Sequence, residues 1–172
     1  MTSLFSNNQA MAEEKWTVVK EKKGILIEAQ EVSDSPLKRF RGTALVKAPL
    51  GRILGFFNDT DQQAKLMPNV TERILEEIKS GDMYIYQRVA NRMASDRDVI
   101  LHIQVKTEVN EKAVYLTFDS VASTPNPEKN QPEVPGVIRM PFIRGHWKLK
   151  PTQQGQWTEV EYDVHSNPGG SI

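Results

Sequence analysis

The sequence predicts a single α+β domain built on an antiparallel β-sheet. Apolar and polar residues alternate through most of the chain from residue 16 onward, which is typical of strands with one buried face. Short turn-forming segments separate these stretches, and strands joined by short turns pair antiparallel. One segment near residue 50 has helical spacing instead. The length of 172 residues is in the range of one domain.

The composition excludes several functional classes. The chain has no cysteine, so it has neither a disulfide framework nor a thiolate metal site. Its 22 basic and 22 acidic side chains cancel and are interspersed, which leaves no charged surface typical of nucleic-acid binding. No apolar stretch approaches the ~20 residues that span a bilayer.

Residues 1–15 are polar and lack periodicity, so the folded domain is predicted to occupy residues 16–172. Ala10-Met11-Ala12 has the spacing of a signal-peptidase site but lacks the apolar region that precedes one. Two interpretations stay open, a remnant of an export signal and a tag or frayed terminus. The first predicts a periplasmic or secreted bacterial protein, and the alternative is a cytoplasmic one.

The first third of the chain predicts three strands followed by two helices. Strands 16–20 and 25–29 form a hairpin around a glycine turn, and strand 40–46 follows. Apolar residues at positions 50, 53, 54 and 57 then recur with helical spacing, and Pro49 suits a first helical turn. A second short helix, capped by Asp59 or Thr60, ends before Pro68.

The remainder predicts strands to the end, about nine in all. The proline-rich residues 123–136 form a long loop, interpreted either as a gate at the mouth of a binding site or as a long hairpin connection. The predicted strands of this part are 70–78, 83–89, 99–109, 113–121, 137–150 and 157–166.

Six groups of residues occur in an order and spacing that resemble the StAR-related lipid-transfer (START) family over about residues 16–170. None of the groups is catalytic. They are Trp16 with Gly24-Ile25; Phe40-Arg41-Gly42; Ala48-Pro49-Leu50 with Asn58-Asp59; Ser95-Asp96-Arg97-Asp98-Val99; Gly136-Val137-Ile138-Arg139 with Trp147; and Asn167-Pro168-Gly169-Gly170.

The resemblance implies a helix-grip fold, a curved antiparallel sheet wrapped around a long C-terminal helix with an apolar tunnel between them. Members bind one sterol, phospholipid or similar apolar molecule and commonly carry it between membranes, so a lipid and transient membrane contact are the expected partners. The sequence stops at Ile172, where that helix is expected to begin. We therefore expect the C-terminal helix to be missing and the exposed sheet face to cause self-association.

Strand alternation predicts which side chains line such a cavity. Residues of strand 99–106 alternate cleanly, and the apolar positions of the neighbouring strands are expected to point the same way. Alternation alone also fits an ordinary packed core; the family resemblance favours a cavity. The predicted lining residues are Val99, Leu101, Ile103, Val105, Val114, Leu116, Phe118, Trp147, Leu149 and Tyr162.

A polar set lies on strand 83–89. Tyr84, Tyr86 and Arg88 share one face of this strand, and we predict that it points into the cavity and meets a ligand head group. The alternative is an outward, solvated face. Arg97 and Asp98 are predicted to be structural.

The sequence predicts no catalytic residue, metal site or cofactor. His102, His146 and His165 fall on separate strands without metal-ligand spacing, and no nucleophile, phosphate-loop or dinucleotide motif is present. A small-molecule cyclase or hydrolase of the same superfamily is the alternative function. A non-catalytic interaction module is a third.

Overall fold

The computed structural model describes residues 15–170, which form ten β-strands and two α-helices. The predicted N-terminal tail lies outside these residues except for Lys15, and so does Ile172. The elements are β1 (Thr17–Lys22), β2 (Ile25–Val32), β3 (Ser35–Val46), α1 (Leu50–Phe57), α2 (Thr60–Leu66), β4 (Val70–Lys79), β5 (Asp82–Val89), β6 (Arg97–Glu108), β7 (Ala113–Val121), β8 (Ile138–Arg139), β9 (Phe142–Thr152) and β10 (Trp157–Asn167).

All ten strands belong to one sheet. Nine of them lie in the order β1-β2-β3-β10-β9-β7-β6-β5-β4, each antiparallel to its neighbours, and β8 pairs with β6. The two helices connect β3, in one half of the sheet, to β4 at the far edge. The predicted α+β class, the antiparallel sheet and the two helices after the third strand are confirmed.

The tenth strand comes from a break in the predicted strand 137–150. Pro141 has no backbone N–H to donate to a sheet ladder, and the chain leaves the sheet there. The residues before the break form β8, which runs parallel to the first two residues of β6. The residues after it form β9.

Local sequence explains where several elements begin and end. Lys23 and Gly24 both have positive φ, 54° and 76°, the combination required by a two-residue hairpin turn between β1 and β2. Asp59 caps α2 by accepting a hydrogen bond from the backbone N–H of Gln62 at 3.0 Å.

Strand register gives the sheet two chemically distinct faces. Directly paired residues point to the same side, and Ile103 pairs with Met83 and Phe118. The next residue along the chain belongs to the other side. The apolar face carries Met83, Ile85, Val99, Leu101, Ile103, Leu116, Phe118, Trp147, Val160 and Tyr162; the polar face carries Tyr84, His102, Gln104, Asp119, His146, Glu161 and Asp163.

Two clusters of buried apolar side chains lie between β4 and β7, one on each face of the sheet. On the apolar face Ile85, Val99 and Leu101 cluster with side chains that include Met140. On the polar face Tyr86 and Ile100 pack with Leu75 and Val121.

Loop 122–136 crosses the polar face beside this second cluster. The backbone N–H of Asn126 donates to Glu76 of β4 at 3.0 Å, and Arg139 donates to the carbonyl oxygen of Gln131 at 3.3 Å. The loop therefore packs against the face opposite the predicted lining residues. This supports its interpretation as a long connection rather than a gate.

Gly145 permits a close approach between β9 and β10. A Cβ atom at this position would lie 1.9 Å from the carbonyl oxygen of Asp163 and 2.9 Å from the ring of Phe118. Only glycine fits this gap without moving backbone. The absent side chain leaves room for the Phe118 ring on the apolar face.

Candidate functional site

An aromatic cluster occupies the middle of the apolar face. Trp147 and Tyr162 pair directly across β9 and β10, with ring centroids 4.3 Å apart. Phe118 of β7 stacks on Tyr162 at 5.9 Å, and Phe57 at the end of α1 meets Trp147 edge-on at 5.3 Å. Each such aromatic pair contributes roughly 0.5–1.5 kcal/mol beyond the burial of its area. The Phe57 contact also fixes α1 against this face.

The predicted lining residues of β6, β7, β9 and β10 all lie on this apolar face. They differ in exposure: Val99, Leu101 and Leu149 are buried, whereas Ile103 and Leu116 are only half-buried. The half-buried members belong to the part of the face that residues 15–170 leave partly uncovered. They are Ile103, Leu116, Phe118, Trp147 and Tyr162.

Tyr162 brings a polar group to this face. Burial raises the pKa of its phenol, because the charged phenolate is poorly solvated there. Within residues 15–170 its hydroxyl has no hydrogen-bond partner, so its hydrogen-bonding capacity is available to a ligand.

The predicted inward orientation of Tyr84, Tyr86 and Arg88 is wrong. Tyr84 pairs with His102, so these side chains point to the polar face, away from Leu101 and Ile103. Alternation correctly groups the three residues but does not say which side of a strand meets the cavity. Each has a local partner instead: Tyr84 stacks on His102 at 4.4 Å, and Arg88 donates to Asp96 at 2.6 and 2.9 Å.

Asp98 organises the buried part of the polar face. Its side chain is 1% exposed and accepts a hydrogen bond from the Tyr86 hydroxyl at 3.0 Å. Arg139 donates to both carboxylate oxygens, at 2.7 and 3.2 Å. These bonds raise the pKa of Arg139, with burial acting in the opposite direction. Asp98 is therefore a structural residue, as predicted, because it joins β5, β6 and β8.

A polar cleft of about 620 Å³ lies on the polar face. The three histidines border it. His102 lies 2.7 Å from Asp82, His146 lies 3.1 Å from Glu161, and the ring of His165 lies 3.1 Å from the carbonyl oxygen of Leu37. The residues around the cleft are Gln30, Val32, Arg39, His102, Gln104, Thr117, Phe118, Asp119, Arg144, Gly145, His146, Asp163 and His165.

Neither helix of residues 15–170 is long and apolar enough to cross a bilayer. Sequence comparison finds no matching family model. It does find a relative, the uncharacterized protein PA1579 of Pseudomonas aeruginosa, which is 31% identical over 164 residues, 95% of this chain and 77% of the relative.

Solved structures of two StAR-related lipid transfer proteins and of human STARD10 share the fold. A STAR-related lipid transfer protein (fragment 25–204) from Xanthomonas axonopodis has a TM-score of 0.76 and 26% identity, over 91% of this chain and 84% of the other. Human StAR-related lipid transfer protein 5 has a TM-score of 0.76 and 19% identity, over 91% and 74%. Human STARD10 has a TM-score of 0.78 and 16% identity, over 91% and 62%. The chain therefore belongs to the family of PA1579, and its fold is the START fold, which confirms the resemblance drawn from its sequence.

Proposed function

We propose that this protein binds a single lipid, such as a sterol or a phospholipid, against the apolar face and serves as a lipid carrier or sensor. The observation that carries the proposal is the half-buried apolar surface formed by Ile103, Leu116, Phe118, Trp147 and Tyr162 in the middle of a START fold. Likeness to the Xanthomonas lipid-transfer protein supports it.

Burial of hydrocarbon supplies the binding energy in this proposal. Covering apolar surface contributes about 25 cal/mol per Å², so a lipid that covers a few hundred Å² of this face gains several kcal/mol. The side chains are held in place before the ligand arrives, by the strand register and by the aromatic contacts of Trp147 with Tyr162 and Phe57. A preformed face lowers the entropy cost of binding.

Tyr162 supplies a point of selectivity. A ligand that places a hydroxyl or carbonyl group beside the phenol gains a hydrogen bond in surroundings that are partly shielded from water. A sterol hydroxyl and a phospholipid ester carbonyl both meet this requirement. A plain hydrocarbon does not.

The test is to identify the lipid that the protein carries. The purified chain is analysed by native mass spectrometry, and the bound molecule is extracted with organic solvent. We expect one lipid per chain. Transfer of that lipid between two populations of vesicles then distinguishes a carrier from a sensor, since only a carrier accelerates the transfer.

Two matched variants locate the ligand. Leu116→Gln places an amide in the middle of the apolar face and should lower lipid occupancy at least several-fold. Lys106→Gln places the same amide on the polar face of the neighbouring strand β6. Lys106 is exposed there and pairs with Tyr115, so this substitution should leave lipid occupancy unchanged.

The alternatives give different results. A folded chain that binds no lipid or other apolar probe would favour an interaction module. Turnover of a small molecule that depends on the apolar face would favour the cyclase or hydrolase. Equal lipid occupancy in Leu116→Gln and Lys106→Gln would contradict binding at the apolar face.

A further inference from the structure

We propose that the polar face holds a second site, a centre for a divalent transition-metal ion of the Zn²⁺ class, with His146, Glu161 and Asp163 as its ligands. One ligand atom from each of these residues lies within 4.8 Å of the other two. The site is on the opposite side of the sheet from the proposed lipid site, so a failure of either proposal leaves the other untouched.

The sheet register brings the three side chains together. His146 of β9 pairs directly with Asp163 of β10, and Glu161 lies two residues earlier on the same face of β10. The Nε2 atom of His146 is 3.1 Å from Glu161 Oε1. All three stand on central strands of the sheet, and ligands carried by such a framework keep their positions better than ligands on loops.

The donor set fits a borderline transition metal. One imidazole nitrogen and two carboxylate oxygens are common ligands of Zn²⁺, and three protein ligands leave a position for water or another molecule. The imidazole nitrogen favours Zn²⁺ over Mg²⁺ or Ca²⁺, which take oxygen ligands. Because His146 and Asp163 both border the 620 Å³ cleft, the remaining position opens onto a space that water or a small polar molecule can enter.

Neighbouring cations leave the three ligands with a net negative charge. Lys148 pairs with Glu161 across the strands, but its ammonium group is bonded to Glu111 at 2.7 Å. Arg41 pairs with Asp163 across β3 and β10, yet its guanidinium is bonded to Glu28 at 2.8 Å. Both cations therefore have carboxylate partners outside the proposed centre.

Among residues 15–170, Arg39 is the cation with a bond to a ligand of the centre, and its geometry fits a supporting role. It donates to Oδ1 of Asp163 at 2.5 Å. This bond fixes the orientation of a carboxylate whose side chain is 4% exposed. Ligating carboxylates are commonly held by such outer hydrogen bonds. Two carboxylates and one guanidinium leave a charge of about −1 to attract a divalent cation.

The experiment measures Zn²⁺ binding by isothermal titration calorimetry to the folded chain without a polyhistidine tag. We expect one saturable site per chain. His146→Gln and Glu161→Gln should each weaken Zn²⁺ at least about tenfold, because each removes one of three ligands. Zn²⁺ should also raise the melting temperature of the wild type more than that of either variant, since a ligand of the native state stabilises it.

His102→Gln is the matched control. It removes a histidine that borders the same cleft but is bonded to Asp82, and it should leave Zn²⁺ affinity within about twofold of wild type. Co²⁺ should occupy the site with a visible absorption spectrum that His146→Gln alters. The proposal is overturned if the folded wild type shows no saturable Zn²⁺ binding, or if His146→Gln and Glu161→Gln bind Zn²⁺ as tightly as His102→Gln does.

Discussion

The hydroxyl of Tyr86 donates a hydrogen bond to the carboxylate of Asp98, with 3.0 Å between Oη and Oδ2. The two residues stand on neighbouring strands, and the same carboxylate binds the guanidinium of Arg139. Arg139 in turn donates to the carbonyl oxygens of Gln131 and Pro132 in loop 122–136. The pair therefore fastens the loop to the sheet, and its contribution is to stability.

This arrangement predicts graded losses of stability. Tyr86→Phe removes one hydrogen bond to a charged acceptor and should lower the free energy of unfolding by about 1.5–3 kcal/mol. Asp98→Asn leaves the partly buried Arg139 without its bonded counter-charge and should cost more, about 3–5 kcal/mol. Urea unfolding at neutral pH measures both values from the transition midpoint at unchanged slope. Equal, negligible losses in the two variants would contradict the role given to Asp98.

Arg88 should have no part in lipid binding. Its guanidinium is bonded to Asp96 on the polar face, which raises the pKa of Arg88. The backbone N–H of Asn91 and the Arg88 guanidinium both lower the pKa of Asp96. Arg88→Ala should therefore leave lipid occupancy and selectivity unchanged, as measured by native mass spectrometry. Leu116→Gln serves as the positive control. A change of lipid class in Arg88→Ala would mean that the ligand reaches around the sheet edge.

Much of the fold follows from the sequence because alternation is a local property. Each side chain of β6, for example, shares its face with the residues two positions away, and this pattern correctly grouped Leu101 with Ile103. The predicted inward direction of the Tyr84, Tyr86 and Arg88 side chains on β5 is wrong for a related reason. Two tyrosines and an arginine alternate as regularly as three apolar residues would, and only the pairing of Tyr84 with His102 decides which way they point.

The cluster of His146, Glu161 and Asp163 could not be predicted from the sequence, because these residues are brought together by the register between β9 and β10. His146 and Asp163 are 17 positions apart and meet only because β9 pairs with β10 in one particular alignment. Ligand spacing along a helix or a short loop is visible in a sequence. Spacing across a sheet is not, since a shift of one residue would move either side chain to the other face.

Because its apolar face is partly exposed, we expect the ligand-free chain to associate with a second copy of itself. Phe40 is 44% exposed and Val105 is 41% exposed, and half-buried Leu116 adds to the same face. Monomeric soluble proteins rarely expose contiguous apolar patches larger than a few hundred Å². Light scattering over a concentration series should show a dimer in the delipidated protein and a smaller species once lipid is added. A delipidated protein that stays monomeric at the highest concentration would refute the prediction.

Tyr162→Phe separates the ligand role of this tyrosine from a structural one. Its hydroxyl has no partner among residues 15–170, so the substitution should cost little stability at neutral pH, in contrast to Tyr86→Phe. It should nevertheless weaken binding of a lipid with a hydroxyl or carbonyl group several-fold and leave binding of a plain hydrocarbon unchanged. Competition with a fluorescent lipid analogue measures both affinities.

The pH dependence of stability gives an independent check on the same residue. Burial raises the pKa of folded Tyr162 above the ordinary value of 10.0, so above pH 10 the unfolded chain releases this proton while the folded chain keeps it. The folded state then binds more protons than the unfolded state, and the free energy of unfolding falls as pH rises from the unfolded toward the folded pKa. Tyr162→Phe should lose less stability than wild type over this alkaline range. If the free energy of unfolding falls with pH equally in the wild type and in Tyr162→Phe, the phenol is as well solvated in the folded chain as in the unfolded chain. That result would contradict the shielded surroundings on which its proposed hydrogen bond to the lipid depends.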